Sequence, residues 1–287
     1  AAAAGATAAA EGSAAKRHRT EVDNDVVMDV SDIGTIAALL VEPDISLWKD
    51  KRAWNSQRFP REAQVKGRER EVQHLVHFDA VEDCDTPDEG DTVCDMIWVE
   101  EWRGDEVRSR LAVRQFRGEK RLDTFAAMPD SFFVRFQLLK CSANKDFAVL
   151  IIDVSVAFMH ADIEEEIKVK VPAGIESATG FWRLLKALNG TQKAIQSWCE
   201  HSANIVTGWE ASRNDYSGAV FRLEDANIDI EQHGDDFFCE GPRLEILKLR
   251  DKFAGGFMVK KAVVISPHAE DGKEGWFLHR RVSVDEQ

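Results

Sequence analysis

The sequence lacks the features that would place it in several common classes of protein. No apolar run approaches the roughly 20 residues that a membrane-spanning helix needs, and the N-terminus does not resemble a signal peptide. The five cysteines are odd in number and none are closely spaced, which predicts neither a disulfide framework nor a zinc site. These absences predict an intracellular protein of a reducing compartment, cytoplasmic or nuclear, with no membrane partner.

A net positive charge is also lacking. The formal charge is -14 and the pI is near 5.1, whereas the binding domain of a nucleic-acid-binding protein is usually basic. The charge is nevertheless uneven, because positions 79–95 hold eight acidic residues and no lysine or arginine. Positions 102–121 hold seven basic residues against three acidic ones. The sequence therefore predicts an acidic loop followed by a basic hairpin.

The chain divides into a tail and a folded region. Its 287 residues, 44% of them hydrophobic, can bury one large core or two modest ones. Residues 1–30 are rich in alanine and then polar and acidic, a composition that predicts a disordered tail. Residues 31–60 contain a short apolar stretch and two tryptophans, and no role is assigned to them. The folded region is expected within residues 61–287.

Hydrophobic periodicity predicts an α+β fold in this region. The predicted helices are 61–77, 131–144, 192–209 and 242–253. The predicted strands are 96–99, 107–116, 147–152, 167–171, 181–185, 219–223, 228–231, 257–259 and 276–284. The buried side of the second helix is predicted to consist of Phe133, Phe136, Leu138 and Leu139.

Three aspartates are candidate metal ligands. Asp153 follows the most apolar run of the chain, residues 147–152, and a carboxylate at the end of a buried strand is costly unless it is paired or bound to metal. Asp235 and Asp236 fall at the predicted turn between two strands of residues 227–241. Taken singly, Asp153 is equally consistent with a hydrogen-bonded structural role, whereas an Asp-Asp pair alone is more often an ordinary polar turn. Converging from neighbouring strands, they would hold two divalent cations and support displacement at phosphorus.

The basic hairpin has two interpretations. Arg108, Arg110 and Arg114 alternate with apolar residues, so they fall on one face of the predicted strand. That face is either solvated or a phosphate-binding surface, since guanidinium groups pair bidentately with phosphate oxygens. The sequence pattern alone leaves both interpretations open.

Five blocks carry a more specific signal: residues 108–116, 123–129, 153–167, 182–198 and 233–236. Together they resemble, in the same order, the reverse transcriptase of copia-type long-terminal-repeat retrotransposons. The third block is similar to that family's Asp-Val-Lys-Thr-Ala-Phe-Leu-His-Gly-Asp segment, and the first to its Lys-Ala-Arg-Leu-Val-Ala-Arg-Gly-Phe strand. The last block, His-Gly-Asp-Asp, takes the place of Tyr-Val-Asp-Asp. The resemblance runs from about residue 71 to near the C-terminus.

The resemblance implies a metal site. It implies a right-hand polymerase whose fingers and palm lie in residues 61–287, with a thumb that is truncated or absent. Asp153, Asp235 and Asp236 would be the catalytic residues. Together with the backbone of Val154 they would ligate two Mg²⁺ ions, which Mn²⁺ could replace.

The resemblance also implies a nucleotide pocket. Its nucleotide-binding residues would be Arg108, Arg110, Phe158, Asn189 and Gly190. The implied partners are dNTPs and an RNA or DNA template with its primer, and the oligomeric state is not indicated. The implied activity is RNA-directed DNA polymerisation.

Departures from the family pattern keep a second function open. His233 and Gly234 replace a tyrosine and a β-branched residue, and residues 191–195 shift a lysine and lose a helix-starting proline. The alternative is a degenerate retroelement remnant, catalytically inactive, that at most binds nucleic acid.

Overall fold

The computed structural model describes residues 59–115, 129 and 131–284. The predicted tail at 1–30 lies outside the described residues, and so do 31–58. The helices are α1 Arg61–His77, α2 Ser131–Ala143, α3 Ala157–His160, α4 Ala194–Gly208 and α5 Arg243–Gly256. The strands are β1 Val81–Asp83, β2 Val93–Cys94, β3 Met96–Arg103, β4 Glu106–Val113, β5 Phe147–Val154, β6 Lys168–Lys170, β7 Phe181–Leu184, β8 Ser212–Arg213, β9 Val220–Leu223, β10 Ile228–His233, β11 Asp236–Pro242, β12 Val259–Ile265, β13 Glu274–Phe277 and β14 Arg280–Ser283. The predicted mixture of helix and sheet is confirmed.

The main sheet has six strands in the order β12-β5-β11-β10-β9-β8. Strand β5 lies between β11 and β12 and pairs antiparallel with both. Its apolar run is therefore buried on both sides of the sheet, as the unbroken hydrophobic sequence predicts. This places Asp153 at the end of an internal strand.

The two faces of this sheet carry different layers. On one face, Leu150 and Ile152 of β5 and Phe237 of β11 pack against Trp198 of α4 and Phe253 of α5. On the other face, a smaller apolar cluster lies beneath α2 and the β13-β14 hairpin; it includes Val149, Ile151, Phe238 and Phe277. Helices α4 and α5 thus form the main core with the sheet.

The predicted buried side of α2 is wrong in part. Phe136 and Leu139 are 47% and 67% exposed, whereas Gln137 is 3% exposed. Gln137 donates to the carbonyl of Asp229, and Lys140 bonds to both Asp229 and Glu240. Because α2 covers a sheet face that carries carboxylates, its polar side chains turn inward.

A second unit consists of α1, the β3-β4 hairpin and a four-stranded sheet in the order β1-β7-β6-β2. Helix α1 packs against β4 so closely that a Cβ on Gly67 would lie 2.4 Å from the Val107 carbonyl oxygen. The predicted hairpin is confirmed, and so is the helix at 61–77. The predicted acidic loop contains two short strands, β1 and β2.

The last predicted strands need correction. Only Val259 of the predicted segment 257–259 is strand, because Phe257 caps the end of α5 and β12 runs from Val259 to Ile265, including Lys260 and Lys261. The segment 276–284 is not one strand, because the chain reverses at Leu278 and His279 to form the β13-β14 hairpin. Both residues have positive φ, which the hydrophobic pattern does not signal.

Candidate functional site

The Asp-Asp segment forms the tightest turn of the main sheet. His233 pairs with Asp236, so Gly234 and Asp235 alone connect β10 to β11. Gly234 has φ 65° and Asp235 does not have a positive φ, which is the pattern of a type II′ hairpin turn. The central turn residues are therefore Gly234 and Asp235, and not Asp235 and Asp236 as predicted; Asp236 is the first residue of β11.

This turn brings the three predicted aspartates to one end of the sheet. Asp153 lies directly opposite Asp236 in the β5-β11 pair. The backbone N–H of Val154 donates to the carbonyl of Asp235 at 3.0 Å, which fixes the turn against β5. On the other side of Asp153, the Nζ of Lys260 lies 3.4 Å from its Oδ2.

The carboxylates at this end repel one another. The pKa of Asp236 is raised to about 7, first by burial and then by Asp235 and Asp153, while Lys260 acts in the opposite direction. Even with Asp236 only partly ionised near pH 7, the three carboxylates together carry more charge than Lys260 offsets. The site therefore retains excess negative charge, which is the condition that a bound divalent cation relieves.

The chemistry of these donors suits a hard cation. Carboxylate oxygens are the ligands that Mg²⁺ and Mn²⁺ prefer. Among the described residues, however, no three His, Cys, Asp or Glu side chains are arranged closely enough to form a metal-binding group. The donor set fits a divalent cation in kind, and its side chains would have to draw together around one.

The backbone just after Asp153 is strained. Val156 adopts φ 43° and ψ 41°, a left-handed conformation that is rare for a β-branched residue. It precedes the short helix α3, and the N–H of Ser155 donates to the Met258 carbonyl at 2.8 Å. Strain of this kind clusters at functional sites, where surrounding contacts hold it in place.

A small cleft beside Asp153 carries positive charge. Its volume is about 70 Å³, and four basic side chains in its lining outnumber two acidic ones: Arg70, Arg103, Arg108 and Lys260 against Glu71 and Glu106, of which Glu106 is paired with Arg70. Ser155 and Val156 complete the side next to Asp153. The pKa of Arg108 is lowered by burial first and then by Arg110 and Arg103, because neighbouring cations disfavour its charged form. A bound anion would relieve this repulsion. Arg110 shares the strand face of Arg108 but does not line the cleft.

The other predicted nucleotide-binding residues lie on a neighbouring turn and helix. The carbonyl of Asn189 accepts a hydrogen bond from the N–H of Val113 at 2.7 Å. Gly190 has φ 87°, and a Cβ there would lie 2.1 Å from the Val113 carbonyl oxygen. Phe158, on α3, is half-buried against a small alanine cluster, Ala161, Ala187 and Ala194. The turn at 189–190, which lies between β7 and α4, therefore docks on the end of β4 in the basic hairpin.

Sequence reasoning did not single out the groups that hold the Gly234 carbonyl. The indole Nε1 of Trp198 donates to it at 2.7 Å, and the Nε2 of Gln232 at 3.2 Å. The sequence does indicate that Gln232 is buried, because it follows Ile228 and Ile230 at alternate, inward-facing positions of β10. A polar residue in such a position needs a buried partner. Trp198 lies within the predicted helix 192–209, and no role in the site was assigned to it.

The chain belongs to the reverse transcriptase (RNA-dependent DNA polymerase) family, whose model matches residues 97–269. It is 33% identical over 97 residues to the retrovirus-related Pol polyprotein from transposon TNT 1-94 of Nicotiana tabacum. That match covers 32% of this chain and 7% of the transposon polyprotein, so the chain spans a small part of its relative. The family match and this relative confirm the resemblance to copia-type retrotransposon reverse transcriptases.

A solved structure of apo telomerase from Candida tropicalis is also similar, with a TM-score of 0.48 and 10% sequence identity. The similarity covers 78% of this chain and 52% of that one. By family, the chain is classed with the RNA-directed DNA polymerases. In the part of the chain that the structure describes, no helix is long and apolar enough to cross a membrane.

Proposed function

We propose that residues 61–287 are the fingers and palm of a retrotransposon reverse transcriptase that transfers a nucleotidyl group from a dNTP to a primer 3′ end. The observation that carries this proposal is the pairing of Asp153 with Asp236 beside the Asp235 turn, in a chain of this family. The accumulated negative charge there, next to a cationic cleft, suits a metal–triphosphate substrate.

Asp153, Asp235 and Asp236 would hold two Mg²⁺ ions, with the Val154 backbone as a further ligand. The bound ions would activate the attacking hydroxyl and neutralise the pyrophosphate that leaves. The protein's own contribution is positional: Val154 fixes Asp235 against β5, and the β5-β11 ladder fixes Asp153 opposite Asp236. Excess charge at this end of the sheet would be neutralised when the ions bind.

The cationic cleft would receive the triphosphate. Arg108 lines this cleft together with Ser155, Val156 and Lys260, which lie at the Asp153 end of the sheet. Arg110 supports the same positive potential from the same face of β4. Phe158 and the turn of Asn189 and Gly190 would shape the sugar side of the pocket. The template and primer, RNA or DNA, would approach over the same region.

Two observations favour the alternative, an inactive remnant that at most binds nucleic acid. The three carboxylates are not preassembled as a metal group in the described structure. His233 also stands where the family has a tyrosine, next to the turn. In this case the fold would persist while the chemistry is lost.

Primer extension with Mg²⁺ separates the two functions. The full chain and its Asp235→Asn variant are compared on an RNA template with a DNA primer, with Asp225→Asn as the matched control in an exposed turn. We expect incorporation by the wild type and by Asp225→Asn, and a loss of at least about 100-fold in Asp235→Asn. No incorporation by any of the three, with salt-sensitive binding to the duplex retained, would establish the remnant.

A further inference from the structure

We propose that Trp198 and Gln232 are positioning residues that orient Asp235 for metal binding by holding the Gly234 carbonyl. This inference rests on the proposed function, because it concerns the same metal site. Both residues belong to the core beneath the turn, and neither carries a charge.

The two donors converge on one oxygen. The indole N–H of Trp198 reaches the Gly234 carbonyl at 2.7 Å, and the Gln232 amide reaches it at 3.2 Å. Trp198 is 0% exposed and Gln232 is 3% exposed. A carbonyl oxygen has two lone pairs, so this acceptor is fully used by buried donors. Carbonyls at hairpin turns ordinarily face water, so the arrangement goes beyond what chain reversal requires.

Ser202 holds the Gln232 amide in the orientation that this contact needs. It lies four residues after Trp198, and therefore on the same side of α4. Its Oγ accepts from the Nε2 of Gln232 at 2.7 Å, and its single hydroxyl hydrogen is shared between the Oε1 of Gln232 at 3.0 Å and the Cys199 carbonyl at 3.1 Å. Ser202 and Gln232 are thus hydrogen-bonded to each other, and the remaining hydrogen of the Gln232 amide points to the Gly234 carbonyl.

The consequence for Asp235 follows from the peptide planes on its two sides. The Gly234 carbonyl belongs to the peptide that precedes Asp235, and Trp198 and Gln232 hold that plane. The Asp235 carbonyl belongs to the peptide that follows it, and the Val154 N–H holds that plane at 3.0 Å. With both planes fixed, the direction in which the Asp235 side chain leaves the backbone is fixed as well.

This arrangement compensates for Gly234. Glycine restricts the turn less than any other residue, so the sequence at this point gives Asp235 little orientation of its own. The hydrogen bonds from α4 and β10 supply it instead. Outer groups that orient metal ligands commonly affect metal affinity without touching the ion, and their loss typically weakens it by about 10–100-fold.

The test measures metal affinity directly, by the electron paramagnetic resonance of Mn²⁺ titrated into the full chain without substrate. Trp198→Phe keeps an aromatic ring in the core and removes the N–H donor. Trp209→Phe is the matched control, because Trp209 packs on Phe253 and Phe257 of the same core. Gln232→Leu removes the second donor at similar volume. The melting temperature of each variant is measured in parallel.

We expect Trp198→Phe to weaken Mn²⁺ binding about tenfold and Gln232→Leu to weaken it as well, with Trp209→Phe unchanged in affinity. Affinity losses by either variant that exceed those of Trp209→Phe at a similar melting temperature support the positioning role. If Trp198→Phe and Gln232→Leu both fold and bind Mn²⁺ with wild-type affinity, the inference is overturned while the proposed function stands. Failure of the wild type to bind Mn²⁺ more tightly than Asp235→Asn would overturn the proposed function, and the inference with it.

Discussion

Asp236 lies directly opposite Asp153 where β11 pairs with β5, and Asp235 comes one residue before it along the chain. Two like charges face each other across a ladder, and a third is adjacent. Such an arrangement lowers the free energy of unfolding in the absence of a cation, and a bound cation raises it again.

Neutralising Asp236 is expected to stabilise the metal-free protein. At about pH 8, Asp236→Asn should raise the free energy of unfolding by at least about 1 kcal/mol, because it removes the repulsion from Asp153 and Asp235. Addition of Mg²⁺ should raise the melting temperature of the wild type and have little effect on the variant. Asp225→Asn, in an exposed turn, is the control. An Asp236→Asn variant that responds to Mg²⁺ as fully as the wild type would contradict this account.

The position of Asp153 and the hairpin ahead of Asp236 could be predicted from the sequence, because both depend on short-range patterns. An unbroken apolar run indicates an internal strand, and alternation interrupted at Asp235 and Asp236 indicates a hairpin, although the structure places the connection one residue earlier, at Gly234 and Asp235. The face that α2 presents could not be predicted in the same way. Its inward side is decided by Asp229 and Glu240 on the sheet, about 90–100 residues further along the chain.

The contacts around Gly234 were equally inaccessible to sequence patterns. Trp198 at an apolar position of α4 reads as a core residue, and it is one. Only the three-dimensional approach of α4 to the turn shows that its N–H is committed to a carbonyl. Lys260 is similar, since its ion pair with Asp153 depends on the register of β12 against β5.

The docking of the 189–190 turn on β4 gives a second prediction. Gly190→Ala combines a left-handed φ with a Cβ 2.1 Å from the Val113 carbonyl, so it should cost about 3 kcal/mol or more of unfolding free energy. Gly180→Ala isolates the φ contribution, because Gly180 has φ 80° and open space around it, and should cost about 1 kcal/mol. Urea unfolding measures both. Equal losses would show that the β4 contact is not a constraint.

Acid should destabilise the protein through His160. Burial lowers the pKa of this half-buried histidine to about 4, with a further contribution from His201, and its Nε2 has no hydrogen-bond partner among the described residues. An unfolded histidine titrates near 6.5, so between about pH 4 and 6.5 the unfolded chain binds more protons than the folded one. Protonation of His160 therefore costs no stability above about pH 6.5, and the free energy of unfolding decreases as the pH falls towards 4.

The difference between the wild type and His160→Gln measures this contribution. After allowance for partial solvent screening, the wild type should lose roughly 2 kcal/mol more than His160→Gln between about pH 7 and pH 4. His279→Asn is the control, because His279 is exposed and asparagine tolerates its positive φ. Parallel pH profiles for the wild type and His160→Gln would rule out the histidine as the source.

Gly234 provides a prediction about the turn itself. A Cβ at this position meets nothing within 4 Å, so Gly234→Ala is opposed only by the φ of 65° and should cost about 1 kcal/mol of unfolding free energy. Gly255→Ala is the matched control, since Gly255 also has open space but lies in α5 without a positive φ. That substitution should stabilise the protein by about 0.5–1 kcal/mol. Changes of opposite sign in the free energy of unfolding, measured in urea, would support the positive φ of Gly234. Stabilisation by both substitutions would show that the turn before Asp235 adopts another conformation.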